Sequence, residues 1–416
     1  MALAQNSNLL TTSKVTKEAL MQLVNNLVLA SKADWSYSSE FGKAVEKIGD
    51  TLSIRRPFIP SIRENSMTWV GKLPYEGRVQ LVIDMPLGVD LEFSDADLTL
   101  KIEDFSKRFI KNAAGALAQK VDSYVYGICQ NNAFLTVGQY NIAITSDTIL
   151  AAKEMLDSMS CPDTGDLYGI LTPKQNRNLS NAQLTLFNAQ KAISEIYMKG
   201  RIGEFAGVEF AWSNTSPVHY DGTVWTGAAG STTVSAVGLT SGFAETSTIV
   251  ATGFTAGRTI KKGDVFTLSG AAGTVKAYNP WIKAELPFDQ QFVVVSDVAS
   301  TTSAQSVVIS PALIVDGEYK NVAGNVNASV TLIAYSSAGT QGQEGLVFHK
   351  NAIAIASPDL IVPNGVDQGR NETDDETGAK VRYIRMYDPI NARFVTRLDT
   401  FVGAKLVRPE WVVRVR

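Results

Sequence analysis

Residues 381–416 read VRYIRMYDPINARFVTRLDTFVGAKLVRPEWVVRVR, and this closing stretch decides the fold more than any other part of the chain. Apolar and charged residues alternate along it, which is the pattern of a β-strand. The alternation breaks at Asp388 and Pro389, which suit the first and second positions of a turn, so a hairpin is predicted. Beyond it, Val413 and Val415 alternate with arginines. This predicts a tightly specified last strand in the middle of a sheet, since a slip of one residue would invert its faces.

The composition is that of a folded protein. The chain has 416 residues, 45% of them hydrophobic, enough for one large domain or two to three smaller ones. A formal net charge of −3 argues against a dedicated nucleic-acid binder, whose basic face usually shows in the total. Two cysteines exclude a disulfide framework. The first residues lack the pattern of a signal peptide, and no run of about 18 apolar residues predicts a transmembrane helix.

Residues 1–42 are predicted to form an arm that carries one short helix. Leu20, Leu23 and Leu27 fall on one face of this helix, and Thr16 is the expected N-cap. A single helix cannot make a core. The leucine stripe is therefore expected to bury itself against a surface beyond the arm.

Residues 49–100 are predicted to form an extended, two-stranded excursion. Prolines interrupt its β-prone segments and confine them to sheet edges or turns. A lone hairpin is marginal in water, so the excursion, with Trp69 near its tip, is expected to lie on another surface. After it, residues 102–132 carry the clearest helical stripe in the chain. At about 1.5 Å per residue this helix would be on the order of 40 Å long, the length of a strut.

The second half of the chain changes character twice. Residues 146–212 contain a capped helix, a buried strand ending in a turn, and then a helix followed by a strand, which predicts an α/β domain. Residues 213–345 are rich in Gly, Ser and Thr, with short strands between turn residues. This pattern is typical of a small all-β barrel or sandwich. Because buried-strand character resumes at 351–363, we interpret the β-domain as an insertion into a loop of the α/β domain.

Catalytic and metal-binding chemistry is weakly represented in the sequence. Neither His219 nor His349 stands near cysteines or paired carboxylates at ligand spacing, so a zinc site is not predicted, and structural histidines are favoured. The segment GRIGEFAG at 200–207 precedes a strand instead of opening a helix, so it reads as a turn and not as a phosphate loop. Cys129 lies near the helical stripe as a small apolar residue. The acidic run NETDDET at 371–377 is interpreted as a solvated loop, with a divalent cation as the minor alternative.

The order of these segments resembles the Hong Kong 97-type major capsid proteins of tailed bacteriophages. The closing stretch is similar to the end of podophage coat proteins, at Tyr387-Asp388, Arg397-Leu398-Asp399 and Arg408-Pro409-Glu410. The segment EFAGVEFAWSNTSPVH at 204–219 resembles the strand that enters an insertion in that family. The segment AYNPWIKAELPFDQQFVVVSD at 277–297 resembles a telokin-like insertion domain. The resemblance covers nearly the whole chain.

The resemblance implies an α+β, Hong Kong 97-like capsid fold with an inserted all-β domain. Its segments would be the N-arm at 1–42, the E-loop at 43–100, the P-domain with its spine helix at 101–142, the A-domain at 143–218, the inserted β-domain at 219–345, the return of the A-domain at 346–372 and the C-terminal P-domain strands at 373–416.

The resemblance also implies a function and partners. The chain would be a major capsid protein that assembles, as hexamers and pentamers, into the icosahedral shell around the double-stranded DNA of a tailed phage (Caudovirales), without catalysis, cofactor or metal. A separate scaffolding protein, a portal protein and non-specifically bound DNA are the implied partners, with no membrane, in a virion assembled in the host cytoplasm. Candidate inter-subunit contacts are Leu20, Leu23, Leu27, Trp69, Arg382, Arg385, Arg397, Asp399, Arg408 and Glu410.

Two other classes compete with a capsid subunit. A surface or adhesion protein would account for the β-domain rich in Gly, Ser and Thr, but the missing signal-peptide pattern speaks against it. An enzyme is the third class, and the weakness there is the lack of a recognisable catalytic constellation.

Overall fold

The computed structural model describes residues 12–41, 51–60, 67, 76–94, 110–184, 203–225, 233–237, 239–270, 273–301, 303–324, 330–374, 377–391 and 393–416. The chain divides into two compact units. Unit 1 comprises Met1–Leu52, Leu81–Val125 and Ala354–Lys405, and unit 2 comprises Ser53–Gln80, Tyr126–Ile353 and Leu406–Arg416.

The described residues form a mixed α+β structure. The α-helices are α1 (Thr12–Asn26), α2 (Lys111–Asn132), α3 (Ser146–Ser158) and α4 (Pro173–Leu184). The strands are β1 (Thr51–Arg55), β2 (Arg78–Val82), β3 (Met85–Ser94), β4 (Leu135–Val137), β5 (Leu167–Leu171), β6 (Glu204–Phe205), β7 (Val208–Trp212), β8 (Val218–Tyr220), β9 (Thr233–Val237), β10 (Thr240–Ser241), β11 (Ser247–Thr252), β12 (Thr259–Ile260), β13 (Val265–Gly270), β14 (Gly273–Thr274), β15 (Lys276–Asn279), β16 (Ala284–Asp289), β17 (Gln291–Val294), β18 (Val298–Ala299), β19 (Gln305–Ser310), β20 (Ile314–Asp316), β21 (Val322–Ala323), β22 (Thr331–Ala334), β23 (Gln341–Gln343), β24 (Gly345–His349), β25 (Ile353–Ala356), β26 (Gln368–Thr373), β27 (Lys380–Asp388), β28 (Arg393–Leu406) and β29 (Val412–Val415). In the part of the chain that is described, no helix is both long and apolar enough to cross a bilayer.

Unit 1 is organised by the closing hairpin. Strand β28 pairs antiparallel with β27 on one side and with β3 on the other, and β26 lies outside β27. The predicted turn is present, because the Ile390 amide donates to Oδ1 of Asp388 at 3.0 Å. The hairpin expected from the sequence is therefore confirmed. The pairing of β3 with β28 was not expected, since the sequence shows no local sign of it.

The N-terminal helix packs within its own chain. Helix α1 lies against β26 and β27, and Leu20, Leu23 and Leu27 are buried at 6%, 2% and 5% exposure. The expectation that this stripe contacts a neighbouring subunit is corrected, because the sheet of the same unit already covers it. The helix also begins at Thr12, so Thr16 lies inside it and is not its N-cap.

The connection after α1 is held by a buried carboxylate of α2. Oδ2 of Asp122 accepts a hydrogen bond from the Val28 amide at 2.7 Å, and Oδ1 accepts one from the Ala30 amide at 2.9 Å. Burial raises the pKa of the Asp122 carboxyl, although the backbone hydrogen bonds work in the opposite direction. Val28 and Ala30 lie beyond Asn26, the last residue of α1, and the carboxylate supplies acceptors for their amides.

The predicted E-loop also finds partners in its own chain. Strands β1 and β2 form a two-stranded sheet, and β3 joins the closing hairpin over ten residue pairs. Within unit 2, Ile59 is buried against Ala312, Ile314 and Tyr319. The excursion was expected to lie on another surface, and for these described residues the chain itself supplies that surface. Trp69 lies outside the described residues.

The α/β part of unit 2 is a six-stranded sheet in the order β4-β29-β24-β5-β7-β6. Strand β29 runs parallel to β4 and antiparallel to β24. The last strand of the chain therefore lies inside the sheet, as its alternation predicts. Helix α3 is capped by Thr145, which confirms the predicted capped helix. Helix α4 begins directly after β5, where the sequence reading placed only a turn.

The inserted residues form a closed β-structure with a core of their own. Strands β13, β17, β19, β11, β9 and β22 pair in that order, and β22 pairs back to β13. The ring of Phe266 packs between Trp225 and Phe292, with centroid distances of 6.1 and 5.9 Å. A closed sheet has no free edges among the strands of its ring, which suits an inserted domain. Of the two architectures predicted from the sequence, the structure shows the barrel.

We expect the Asp122→Ala substitution to lower the free energy of unfolding by about 2–4 kcal/mol, because it leaves one buried and one partly buried amide without acceptors. Chemical denaturation of the full chain measures this change. Asp122→Asn is the matched control, because it keeps the shape and one carbonyl acceptor and should lose less. Equal, small losses in both variants would contradict an anchoring role for the carboxylate.

Candidate functional site

The most unusual feature of unit 2 is a buried ionic cluster around Glu344. Oε2 of Glu344 accepts a bond from Nε of Arg414 at 2.6 Å, and Oε1 accepts one from Nη2 of Arg414 at 2.6 Å and one from Nε of Arg416 at 2.9 Å. The side chains of all three residues are fully buried. Two cations on one carboxylate make a compact centre with a strong local field.

The period of the last strand brings the two arginines together. Successive side chains of a strand point to opposite faces, so Arg414 and Arg416 share one face while Val413 and Val415 take the other. The two valines belong to the hydrophobic core of the α/β part. Glu344 lies directly between β23 and β24, and β24 is the neighbour of β29. The alternation of valine and arginine thus gives the strand one face that packs in the hydrophobic core and one face that binds Glu344.

The Glu344 carboxylate is ionised because its surroundings are organised for it. Burial alone would raise the pKa of Glu344, but the charges of Arg414 and Arg416 lower it to about 2. The Tyr140 hydroxyl donates to Oε1 at 2.5 Å, and Nη1 of Arg414 donates to the Gly263 carbonyl at 2.8 Å. A buried charge is tolerated when it is paired and hydrogen-bonded, as the Glu344 carboxylate is here.

The cluster continues into the base of the inserted strands. Nη1 of Arg416 lies 3.4 Å from Oδ1 of Asp221, and Nε2 of His219 lies 3.3 Å from Oδ1 of both Asp221 and Asp264. Burial disfavours the imidazolium, but the hydrogen bonds to the two aspartates outweigh this and raise the pKa of His219 above 6.5. His219 was expected to be a structural histidine without nearby paired carboxylates, and the fold brings two of them to it.

Asp221, Asp264 and His219 are also the one group, among the residues that the structure describes, whose spacing would fit a cation. The donor set does not fit one. Oδ2 of Asp264 already accepts bonds from the Trp225 indole at 2.7 Å and the Lys261 amide at 2.8 Å. Arginine side chains fill the neighbouring space, so a metal ion would meet positive charge.

The acidic run at 371–377 also shows a structural role where it is described. Oδ2 of Asp374 accepts bonds from the amide and the hydroxyl of Thr377, at 2.8 and 2.7 Å, which closes a turn. Asp375 and Glu376 lie outside the described residues.

Three of the predicted contact residues form one ion cluster on the closing hairpin. Arg382 donates to Oδ2 of Asp399 from Nε at 3.2 Å and from Nη2 at 2.5 Å, and Arg397 donates to Oδ1 at 2.6 Å. Gly88 stands opposite Asp399 on β3, where a Cβ would come within 2.6 Å of Oδ1. The space left by this glycine lets one carboxylate hold two arginines.

The other charged contact candidates also have partners within the chain. Arg385 stacks on Phe394, with its guanidinium carbon 4.0 Å from the ring centroid, and Arg408 stacks on Trp411 at 4.0 Å. Glu410 pairs with Arg56. None of these observations tests contacts between subunits, so those contacts stay predictions.

Sequence reasoning missed Glu344 and the role of the last two arginines. The signal that was available is the alternation of Val and Arg at 412–416, which identified the strand but not what lies on its polar face. A buried carboxylate 70 residues earlier in the chain leaves no local mark.

Comparisons with known proteins place the chain among phage coat proteins. A family model described as "P22 coat protein - gene protein 5" matches residues 1–414. The chain is similar to a structure of Mycobacterium phage Che8, with 13% identity, a TM-score of 0.49, and 94% of this chain and 91% of that chain covered. It is also similar to the capsid of Ralstonia phage GP4, with 8% identity, a TM-score of 0.45 and coverage of 90% and 85%. No curated protein sequence matches the chain.

The two similar structures are too distant to carry an argument about function. The family model covers almost every residue, from the N-terminal arm to the strand that bears Arg414. The chain therefore belongs to the P22 coat protein family, and it is a phage major capsid protein.

Proposed function

We propose that copies of this capsid protein contact one another through the outer part of the β27–β28 hairpin, and that these contacts recur in the hexamers and pentamers of an icosahedral shell. The observation that carries the proposal is an exposed apolar pair. Met386 and Val395 face each other across the two strands and are 51% and 39% exposed. Ile390, in the connecting turn, is 90% exposed. We call these three residues the hairpin surface.

Ion pairs lie on both sides of this apolar pair. On one side, Arg397 pairs with Asp399 at 2.6 Å. On the other side, Arg393 pairs with Asp388 at 3.1 Å and with Glu92 at 2.6 Å. An apolar centre with a charged, solvent-accessible rim is the usual anatomy of a protein interface.

The predicted arginines take a different role in this proposal. Arg382 and Arg385 already have partners in their own chain, so they stiffen the sheet that presents the hairpin surface. Arg397 remains 55% exposed and is available to a carboxylate of a neighbouring copy. An exposed ion pair is worth at most about 1 kcal/mol, so the apolar pair would supply more of each contact.

Weak contacts suffice because a shell repeats them. Linked binding events multiply, so a small free energy per contact gives a stable container when many contacts close on themselves. Closed symmetry also prevents runaway filaments. Contacts that are weak one by one can reopen during growth, which allows misplaced copies to leave.

The further partners rest on membership of the family. We infer that a separate scaffolding protein guides assembly in the host cytoplasm and that a portal protein joins the shell. Packaged double-stranded DNA would be contacted without sequence preference, through lysines on the inner surface. Lys17, Lys111 and Lys120 are exposed and could serve in this way. Such contacts weaken as salt rises, because counterions compete for the phosphates.

The first prediction is that the purified chain, alone or with a scaffolding protein, forms closed shells at high concentration. Electron microscopy and size-exclusion chromatography across a range of salt concentrations measure this. Exclusively monomeric protein under all these conditions would contradict the proposed self-assembly.

The second prediction concerns the double variant Met386→Thr/Val395→Thr. Removing apolar area worth about 1.4 kcal/mol per contact should raise the concentration needed for half-maximal assembly about tenfold. The monomer should keep the wild-type melting temperature, since both side chains are exposed. Light scattering during assembly and thermal melts of the monomer provide the two readouts.

Leu150→Gln is the matched control for this variant, because it removes an exposed apolar side chain from helix α3. It should assemble as the wild type does. If the hairpin variant and the control assemble equally well, the hairpin surface is not a subunit contact.

We also propose the division into N-arm, E-loop, P-domain, A-domain and inserted β-domain. Residues 219–345 contain the closed ring of strands and its core. Expressed alone, this fragment should give a β-type circular dichroism spectrum and one cooperative thermal transition. A disordered spectrum without a transition would show that the inserted part depends on the rest of the chain.

A further inference from the structure

The inserted β-domain is joined to the α/β part by two strands that pair with each other. Strand β8 leads into the insertion and β23 returns from it, with His219 opposite Gly342. Asp221 follows β8 directly, while Asp264 lies in the turn just before β13 of the closed ring. His219 therefore stands where the two strands of the junction meet a turn of the inserted domain.

The imidazole of His219 is buried and held from several sides. Its Nε2 atom lies 3.3 Å from Oδ1 of Asp221 and 3.3 Å from Oδ1 of Asp264, and the residue is 6% exposed. Gly263 closes the side of the ring that carries Cε1. Its φ of +93° favours glycine, and a Cβ there would come within 2.9 Å of Cε1.

The charges around this ring balance only when it is protonated. Three carboxylates lie in the cluster, on Asp221, Asp264 and Glu344, and all three residues are buried. Two guanidinium groups face them, from Arg414 on β29 and from Arg416 directly after it. An imidazolium at His219 makes three cations against three anions. With a neutral imidazole, a net negative charge would remain among buried groups, which is costly.

We propose that His219 is a proton-operated latch between the inserted β-domain and the α/β part of the capsid protein. The protonated ring bridges Asp221 of the junction and Asp264 of the inserted domain, and loss of its proton loosens the junction. This device lies within one chain, so it is independent of the subunit contacts proposed above.

The groups that face the ring define its pH dependence. Asp221 and Asp264 stabilise the imidazolium directly, and Glu344 does so from the next strand, whereas Arg414 opposes it. Lys261 follows strand β12, and its ammonium pairs with Asp297 at the surface, at 3.2 Å. Histidine is the side chain whose ordinary pKa lies closest to neutral pH, so His219 is the member of the cluster expected to titrate there.

The sign of the effect follows from linkage. A histidine whose pKa is higher in the folded chain than in the unfolded chain stabilises the fold fully below the unfolded value of about 6.5. That stabilisation is lost as the pH rises through the folded pKa. The melting temperature of the chain should therefore fall above pH 6.5, through the contribution of this one group.

The second histidine provides a matched control. His349 has no carboxylate within ion-pair distance among the described residues, and burial lowers its pKa. Its contribution to stability is lost as the pH falls below about 6.5, so it adds nothing to a decline above that value. The two histidines should thus behave in opposite ways.

Nuclear magnetic resonance of full-length subunits labelled at histidine Cε1 tests the latch directly, because the chain contains only two histidines. His219→Gln and His349→Gln assign the two signals. The His219 signal should titrate with a midpoint above 6.5, and the His349 signal with a midpoint below it. A His219 midpoint at or below 6.5 overturns the proposal.

Thermal melts of the same proteins from pH 6 to pH 9 provide the second readout. His349→Gln should keep the fall in melting temperature above pH 6.5 that the wild type shows, and His219→Gln should lose it. Hydrogen exchange, corrected for its intrinsic pH dependence, should show residues 218–222 and 261–264 losing protection with rising pH in the wild type and in His349→Gln, but not in His219→Gln. If the melting temperatures of the wild type and of His219→Gln depended on pH in the same way, the latch would be overturned, even if the His219 signal titrated with a midpoint above 6.5.

Discussion

The pairing of Glu344 with Arg414 and Arg416 is the interaction on which unit 2 depends. Three ionised groups without contact to water are tolerated only while each has its partners, and removing one partner from such a pair typically costs 3–5 kcal/mol. The carboxylate stands where the chain returns from the inserted β-domain, and the arginines stand on the last strand. Their pairing fixes the register of β29 between β4 and β24. It also ties that strand, through Asp221, to the base of the insertion. A hydrophobic strand alone would hold its place less specifically, since its apolar face tolerates repacking.

Unit 1 depends in a comparable way on β28, the longest strand of the hairpin. Its two edges are taken by β27 and β3, and the face of the sheet near β26 and β27 is covered by α1. This arrangement explains why α1 and β3 do not need a neighbouring copy to cover the helix face or to pair the strand. Backbone groups of a lone strand need partners, and the leucines of α1 need a covered face. The same chain offers both at high effective concentration, before any second copy arrives.

A capsid subunit must fold alone and still associate later. The charged side chains of the closing hairpin are largely satisfied within the chain, by the ion cluster on Asp399 and by stacking on Phe394. What the hairpin leaves exposed is a small apolar patch with a charged rim. We propose that this patch contributes little to association of two copies, yet becomes significant when a closed shell repeats it many times. The proposed latch adds a pH-dependent contribution to the stability of each copy, at the junction of the inserted β-domain.

The sequence by itself determined the elements whose signal is local or regular. The alternation at 381–416, with Asp388 and Pro389 at its centre, specified the hairpin and the inner last strand, and the composition of 213–345 specified an all-β insertion. The order of segments and the motifs of the closing stretch together indicated a phage coat protein, which the family model confirms. Only the tertiary structure decided that Leu20 and Leu23 are covered by their own chain, that β3 joins β28, and that His219 meets Asp264. These contacts join residues far apart in the chain. Their energies come from burial and charge neutralisation in a particular packing, and neither leaves a pattern that local spacing can reveal.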